Sequence, residues 1–174
     1  VETMVRQVER FGRKACVGVH GALLSRIPVN DYYADRRVYH FRASLPQAYP
    51  VHVLGTGTLC WHKLTLAVSV AAFPSPNMAD VWFALMSQRI GVPMVCISRP
   101  SHWLKDTVCS SPADSIWGTR LTAEAQTQAV NAHDWHLIPL PTATGSGVTE
   151  AEEGTHFAFL ATAHDAASFV EKCL

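Results

Sequence analysis

Apolar residues recur at helical spacing in some stretches of the chain and at strand spacing in others. Between residues 73 and 99, Met78, Val81, Trp82, Leu85, Met86 and Ile90 fall close to a period of about 3.6 residues, which predicts a helix with one buried face. Ser75 or Asn77 suits the N-cap, Pro76 suits the first helical position if Ser75 caps, and Gly91 suits a left-handed stop. Residues 93–97 then form a short apolar run, read as a strand covered on both faces. Asp80 stands in the first turn of this helix, so the unit is a helix packed back on a buried strand with a carboxylate at the helix mouth.

The same reading extends along the rest of the chain. Val1, Met4, Val5, Val8 and Phe11 make a helical stripe that Gly12 should end. No Ser, Thr, Asp or Asn precedes that stripe, and the expectation is that the helix begins upstream of Val1. Residues 15–20 read as a strand ending at Gly21. From 23 to 50 the pattern gives way to a long polar connection holding one short strand at 38–41. Tyr32, Tyr33, Arg36 and Arg37 in it are side chains of the kind that hold polar ligands, and equally the kind found on an ordinary solvated loop. Residues 51–54 and 58–61 read as strands around Gly55-Thr56-Gly57-Thr58, where the glycines permit a bulge or a close backbone approach. Residues 64–73 are read as a short helix. Ser115-Ile116-Trp117 and residues 124–131 suggest a second helical piece, with Trp135 as an anchoring aromatic. Residues 1–138 form the main unit and 139–154 a linker rich in Pro, Thr, Gly, Ser and Glu. Residues 155–174 are a strand and helix tail that either starts a further unit or packs back on the domain.

Composition narrows the functional classes. Fourteen basic and 14 acidic residues leave no net charge, so there is no basic field for nucleic acid. Five cysteines are scattered without a CxxC pair, which suits a reducing compartment and gives the cytoplasm as the expected location. The most apolar stretch, residues 64–73, is too short to span a bilayer, so attachment to a membrane would be peripheral or through a missing segment.

Few residues fit a catalytic pattern. Asp80 has two compatible readings: an acid that complements the helix dipole and closes a capping box with Asn77, or a general base for a hydroxyl nucleophile. Most of the nine histidines fail metal spacing, His133 and His136 included, and only His102 lies just past the apolar strand, where ligands collect in open α/β sheets. Cys60 is read as a small core residue. The nucleophile elbow, the P-loop and the dinucleotide-binding glycine fingerprint do not occur.

The segments GTGTLCWHK, NMADVWFALMSQRIGVPMVCISR, SHWL and DSIWG together resemble the C-terminal half of a bacterial glycosyltransferase of the GT-A fold, family 2 type. The resemblance covers about residues 1–138. It implies an α/β fold, a partial GT-A mixed sheet flanked by helices. It also implies inverting transfer of a sugar from a nucleotide-sugar to a hydroxyl on a glycan acceptor, as in polysaccharide synthesis, in the cytoplasm or peripheral to the inner membrane. Carried over, Asp80 matches the second acid of the family's paired motif and becomes the base, with Ala79 where the first acid would stand. Gly57 and Thr58 match the acceptor-side strand, Trp103 offers a face to a sugar ring, and His102 matches a late histidine that binds a divalent metal, Mn or Mg. The family's Asp-x-Asp triplet is not found here and would fall before Val1, which implies a missing N-terminal half. The alternative is a non-catalytic sugar- or protein-binding module derived from the same fold.

Overall fold

The computed structural model describes residues 2–104 and 123–142 in full, and the backbone of 157–160. The expected helical piece at Ser115-Ile116-Trp117, most of the linker and the final helix lie outside the described residues. Within them, helices α1 (Glu2–Arg10), α2 (Ala79–Arg89) and α3 (Ala123–Asn131) accompany eight strands in two sheets. The larger sheet contains β1 (Cys16–Gly18), β4 (Tyr49–Val51), β6 (Leu59–His62), β7 (Met94–Cys96) and β8 (Phe157–Leu160), in the order β4-β7-β1-β6-β8. It is mixed: β1 and β7 are parallel and every other pair is antiparallel. The smaller sheet is antiparallel, β3 (Arg36–Tyr39), β2 (Gly21–Leu24) and β5 (Val53–Leu54) in that order. The architecture is therefore mixed α/β, with helices against a mixed sheet. Among the described residues no helix is long and apolar enough to cross a membrane.

Alternation along the strands assigns the two faces of the larger sheet. Val17, Cys60, Val95 and Ile97 pack with Met4, Val8 and Phe11 of the α1 segment. Their neighbours Cys16, Leu59, Trp61, Met94 and Cys96 pack with α2, the smaller sheet and Val130 of α3. Strands buried on both faces are what the apolar run at 93–97 implied, and β7 is fully buried.

Helices α1 and α2 stop by the same device and each feeds a buried strand. Gly12 has φ 62° and Gly91 φ 70°. In α1 the Gly12 N–H donates to Glu9 O and the Arg13 N–H to Val8 O; in α2 Gly91 donates to Gln88 O and Val92 to Ser87 O. Both are Schellman motifs, which satisfy the last carbonyls while reversing the chain into β1 and β7. The two sheets also approach closely. A Cβ on Gly18 would lie 2.8 Å from a Leu54 methyl, and one on Gly21 would lie 3.2 Å from the Val51 methyls, so any added side chain would have to displace these neighbours where β1 leads into β2.

Several expectations are corrected. The N-cap of α2 is Met78, without a side-chain cap bond, rather than Ser75 or Asn77. Asn77 takes a left-handed conformation, φ 60°, and the Ser75 hydroxyl accepts instead from the Trp82 indole N–H at 3.1 Å, so neither is free to cap. Asp80 does not close a box with Asn77; its Oδ1 accepts the adjacent Val81 N–H at 3.0 Å. The buried residues of α2 are Val81, Phe83, Ala84, Leu85 and Ser87, while Ile90 is 54 % exposed, because α2 is covered on more than one side in its first two turns. Residues 64–73 form turns and one short 3₁₀ segment, Val70–Ala72, rather than a helix. Leu66 O is taken by the Trp61 indole, and the β-branched Thr65, Val68 and Val70 disfavour a helix. Residues 23–50 hold more order than their composition suggested: β2 and β3 pair from Gly21↔Tyr39 to Leu24↔Arg36, with β3 starting at Arg36. The expected strand at 51–54 divides at His52, whose Nδ1 accepts from Leu24 N–H at 3.0 Å, so β4 joins one sheet and β5 the other. Finally, β8 packs back on the larger sheet, pairing with β6 from Leu59↔Leu160 to His62↔Phe157.

Candidate functional site

The mouth of α2 faces the loop between β2 and β3, and that loop is built to hold one shape. Asp31 Oδ1 accepts from the Tyr33 and Ala34 N–H groups at 2.7 and 2.9 Å, and Asp35 Oδ2 accepts from Asn30 N–H at 2.6 Å. Both carboxylates are thus used for turn formation. Helix α3 clamps the loop from outside. Asn131 accepts Val29 N–H and donates to Val29 O, both at 2.8 Å, and the Thr127 hydroxyl accepts Tyr32 N–H at 2.9 Å. Gln126 Nε2 donates to the Tyr33 hydroxyl at 3.2 Å. Replacing Asn131 with alanine removes both bonds to Val29 and is expected to lower stability by about 1–3 kcal/mol, read as a shift in the urea midpoint.

On this platform four side chains form a polar cluster with Asp80. The Arg36 guanidinium lies 4.6 Å from the ring centres of both Tyr32 and Tyr33, a cation over two aromatic faces. The two rings meet edge to face at 5.3 Å. Tyr32 is 1 % exposed, and neither its hydroxyl nor Arg36 Nε nor Gln126 Oε1 has a hydrogen bond of good geometry. Asp80 is half-buried by accessible surface, yet its carboxyl is so closely surrounded that desolvation raises its pKa above the ordinary value of 3.8. The Val81 N–H and the Arg36 charge oppose that rise without cancelling it. The Tyr32 phenol is also pushed up, by burial first and by the Asp80 charge second. Asp80 and Arg36 feel each other without forming a direct ion pair.

Arg36 links this cluster to a second group around His20. Burial, together with the charges of His40, Arg36 and Arg99, lowers the His20 pKa from 6.5 to about 4, and its Nδ1 is buried without a partner. The His40 ring lies edge-on at 5.3 Å. Arg99, 6 % exposed, spans the gap between the sheets by donating to Ile97 O at 3.0 Å and His40 O at 2.7 Å. Gly55 approaches the His20 ring so closely that an added Cβ would lie 3.1 Å from it. Because the folded-state pKa of His20 is depressed, its contribution to stability is present above the unfolded value near 6.5 and is lost as pH falls towards 4. His52, also depressed by burial, acts in the same direction. The two histidines should therefore lower stability as pH falls from 6.5 towards 4, opposite in sign to Asp80, and His20→Gln should remove its share of that loss in urea titrations at pH 7 and 5.

The residues singled out from sequence are spread around these two groups. Thr58 Oγ1 accepts the Val19 N–H at 3.3 Å, beside His20, while Gly57 is the exposed tip of its turn. His102 is exposed, has φ 54°, donates its backbone N–H to Arg42 O at 2.8 Å and meets Ser101 Oγ at 2.7 Å through Nδ1. Trp103 packs, partly buried, with Phe41 and Ala48 in the apolar cluster on the α1 side, a different layer from α2. Among the described residues no group of three or more His, Cys, Asp or Glu is arranged to hold a metal ion, so they do not by themselves fit the divalent metal that the resemblance implies. Cys60 is a buried core thiol, its pKa raised to about 12 by burial, as expected of a residue without a reactive role. Sequence reasoning missed Gln126, His20 and Arg99. Gln126 meets Tyr33 across 93 residues and carried no local signal, whereas His20 lies between β1 and β2 and Arg99 lies just past β7, places near strand ends where polar residues can serve a site. No protein-family model matches the chain, and no curated protein shows significant similarity to it.

Proposed function

We propose that the protein is a glycosyltransferase of the GT-A type, in which the cluster at the mouth of α2 receives the acceptor and Asp80 is the general base. The observation that carries this reading is Asp80 itself: a carboxylate held at a helix mouth, still reached by solvent, with its pKa raised by desolvation. A structural acid in a first helical turn would be expected to shift the other way, because the helix dipole and the backbone N–H groups favour the ionised form. A raised pKa brings a carboxylate closer to the strength a base needs near neutral pH.

In the step proposed, the acceptor hydroxyl gives its proton to the Asp80 carboxylate as its oxygen bonds to the anomeric carbon of the donor sugar. The bond from that carbon to the diphosphate breaks, and the electron pair leaves with the nucleoside diphosphate. Arg36 and Tyr33 orient the acceptor. No step is assigned to a metal.

The test is a panel of nucleotide-sugars incubated with sugar acceptors, with release of nucleoside diphosphate as the readout. Acceptor-dependent release is the expected result. Saturable acceptor binding with no release from any donor would instead identify a binding module.

A further inference from the structure

We infer that Arg36 makes this site selective for an acceptor sugar that carries an anionic group, a carboxylate or a phosphate, close to the hydroxyl presented to Asp80. The inference rests on the acceptor role proposed for the cluster, and the observation behind it is a cation without an ion pair. Arg36 is half-buried and takes part in no ion pair among the described residues, where the only ion pairs lie on or beside α1. The nearest acids that could neutralise it are otherwise engaged. Asp31 and Asp35 accept loop N–H groups, and Asp80, which Arg36 attracts, stands too far off for direct contact. A guanidinium taken partly out of water without a carboxylate is disfavoured unless something completes it.

The surroundings define what would complete it. The Tyr32 and Tyr33 ring centres lie 4.6 Å from the guanidinium carbon and 5.3 Å from each other, so both rings flank one side of it, and its planar fork of N–H donors suits an oxyanion. Arg36 Nε and the Tyr32 hydroxyl, which lie close enough to influence each other, can both donate, while Gln126 Oε1 and the Asp80 carboxylate can only accept. One ligand answers both halves of that pattern: a sugar ring with an anionic substituent for the donors and ring hydroxyls for the acceptors. Neutral hexoses satisfy the acceptors but leave the cation bare.

The experiment compares binding of methyl β-glucuronide, methyl β-glucoside and glucose 6-phosphate to the full chain by ligand-observed NMR. The first two ligands differ only in carboxylate against hydroxymethyl. The glucuronide or the phosphate should bind roughly tenfold or more tightly than the glucoside, the size expected of a charge-assisted contact. Whichever anion is preferred identifies the source of the charge. Equal binding of all three to the wild-type protein overturns the inference without recourse to any variant. Arg36→Gln should abolish the preference and Arg36→Lys should keep part of it, while Arg37→Gln, at an exposed neighbour, should leave it intact. A preference that survives Arg36→Gln in a folded protein also overturns it. Anion preference without sugar transfer would leave this inference standing and remove the transferase reading; transfer to neutral and anionic acceptors alike would do the reverse.

Discussion

Asp80→Asn is expected to reduce sugar transfer by about two to four orders of magnitude, the usual worth of a positioned general base. The amide is nearly isosteric and can still accept the Val81 N–H, so the start of α2 should keep its geometry. What is lost is the capacity to take a proton. Since the carboxyl pKa is raised by desolvation, transfer by the wild-type protein should also decline on the acid side, starting above the ordinary carboxylate value of 3.8. The variant's residual activity should lack that limb. Acceptor affinity, measured separately by NMR, should change little, because Arg36 and the tyrosines remain. A variant that transfers at near-normal rates would show that the base is elsewhere.

Phe83→Ala has the largest expected effect on stability, about 3–5 kcal/mol, from the lost transfer of an aromatic ring plus the cavity left behind. Phe83 is fully buried and meets the Trp61 indole edge to face at 4.8 Å, joining α2 to β6 in the main core. Trp61 is fixed in turn by its N–H bond to Leu66 O at 3.0 Å, so the site has little freedom to collapse. Ile90→Ala supplies the contrast. The helical period places Ile90 on the buried face, yet it is 54 % exposed, and its loss should shift stability by no more than about 0.5 kcal/mol. Urea midpoints for the two variants separate the observed packing from the periodic pattern.

The difference between those two residues shows what the sequence could and could not disclose. Local signals worked where a local cause acts. Gly12 and Gly91 end their helices because left-handed backbone is needed there, and the run at 93–97 yields the covered strand Met94–Cys96 because nothing polar interrupts it. The α3 helix and the buried Trp135, whose indole donates to Val130 O at 2.8 Å, were equally legible. Signals failed where a distant partner decided the outcome. Ser75 has the chemistry of an N-cap but spends its hydroxyl on Trp82, and His52 breaks a strand because Leu24 needs an acceptor. The candidate site divides in the same way. Asp80 was visible from its place in the helix, and Tyr32, Tyr33 and Arg36 from their crowding in a polar loop. That they form one cluster depends on α3, whose Asn131 reaches Val29 across 102 residues, and no spacing rule reports that.

The measurement that bears most directly on Asp80 as a functional rather than structural acid needs no substrate: equilibrium unfolding of wild type and Asp80→Asn in urea at pH 7 and pH 3. A group whose folded pKa is raised contributes stability that is complete below its unfolded pKa and is lost as pH rises through the folded value. Ionised Asp80 therefore burdens the fold at neutral pH, and an asparagine does not. The account predicts a variant as stable as the wild type or more stable at pH 7, with the difference vanishing at pH 3. A variant clearly less stable at pH 7 would mean that the carboxylate is there to hold the end of α2, and would contradict the site.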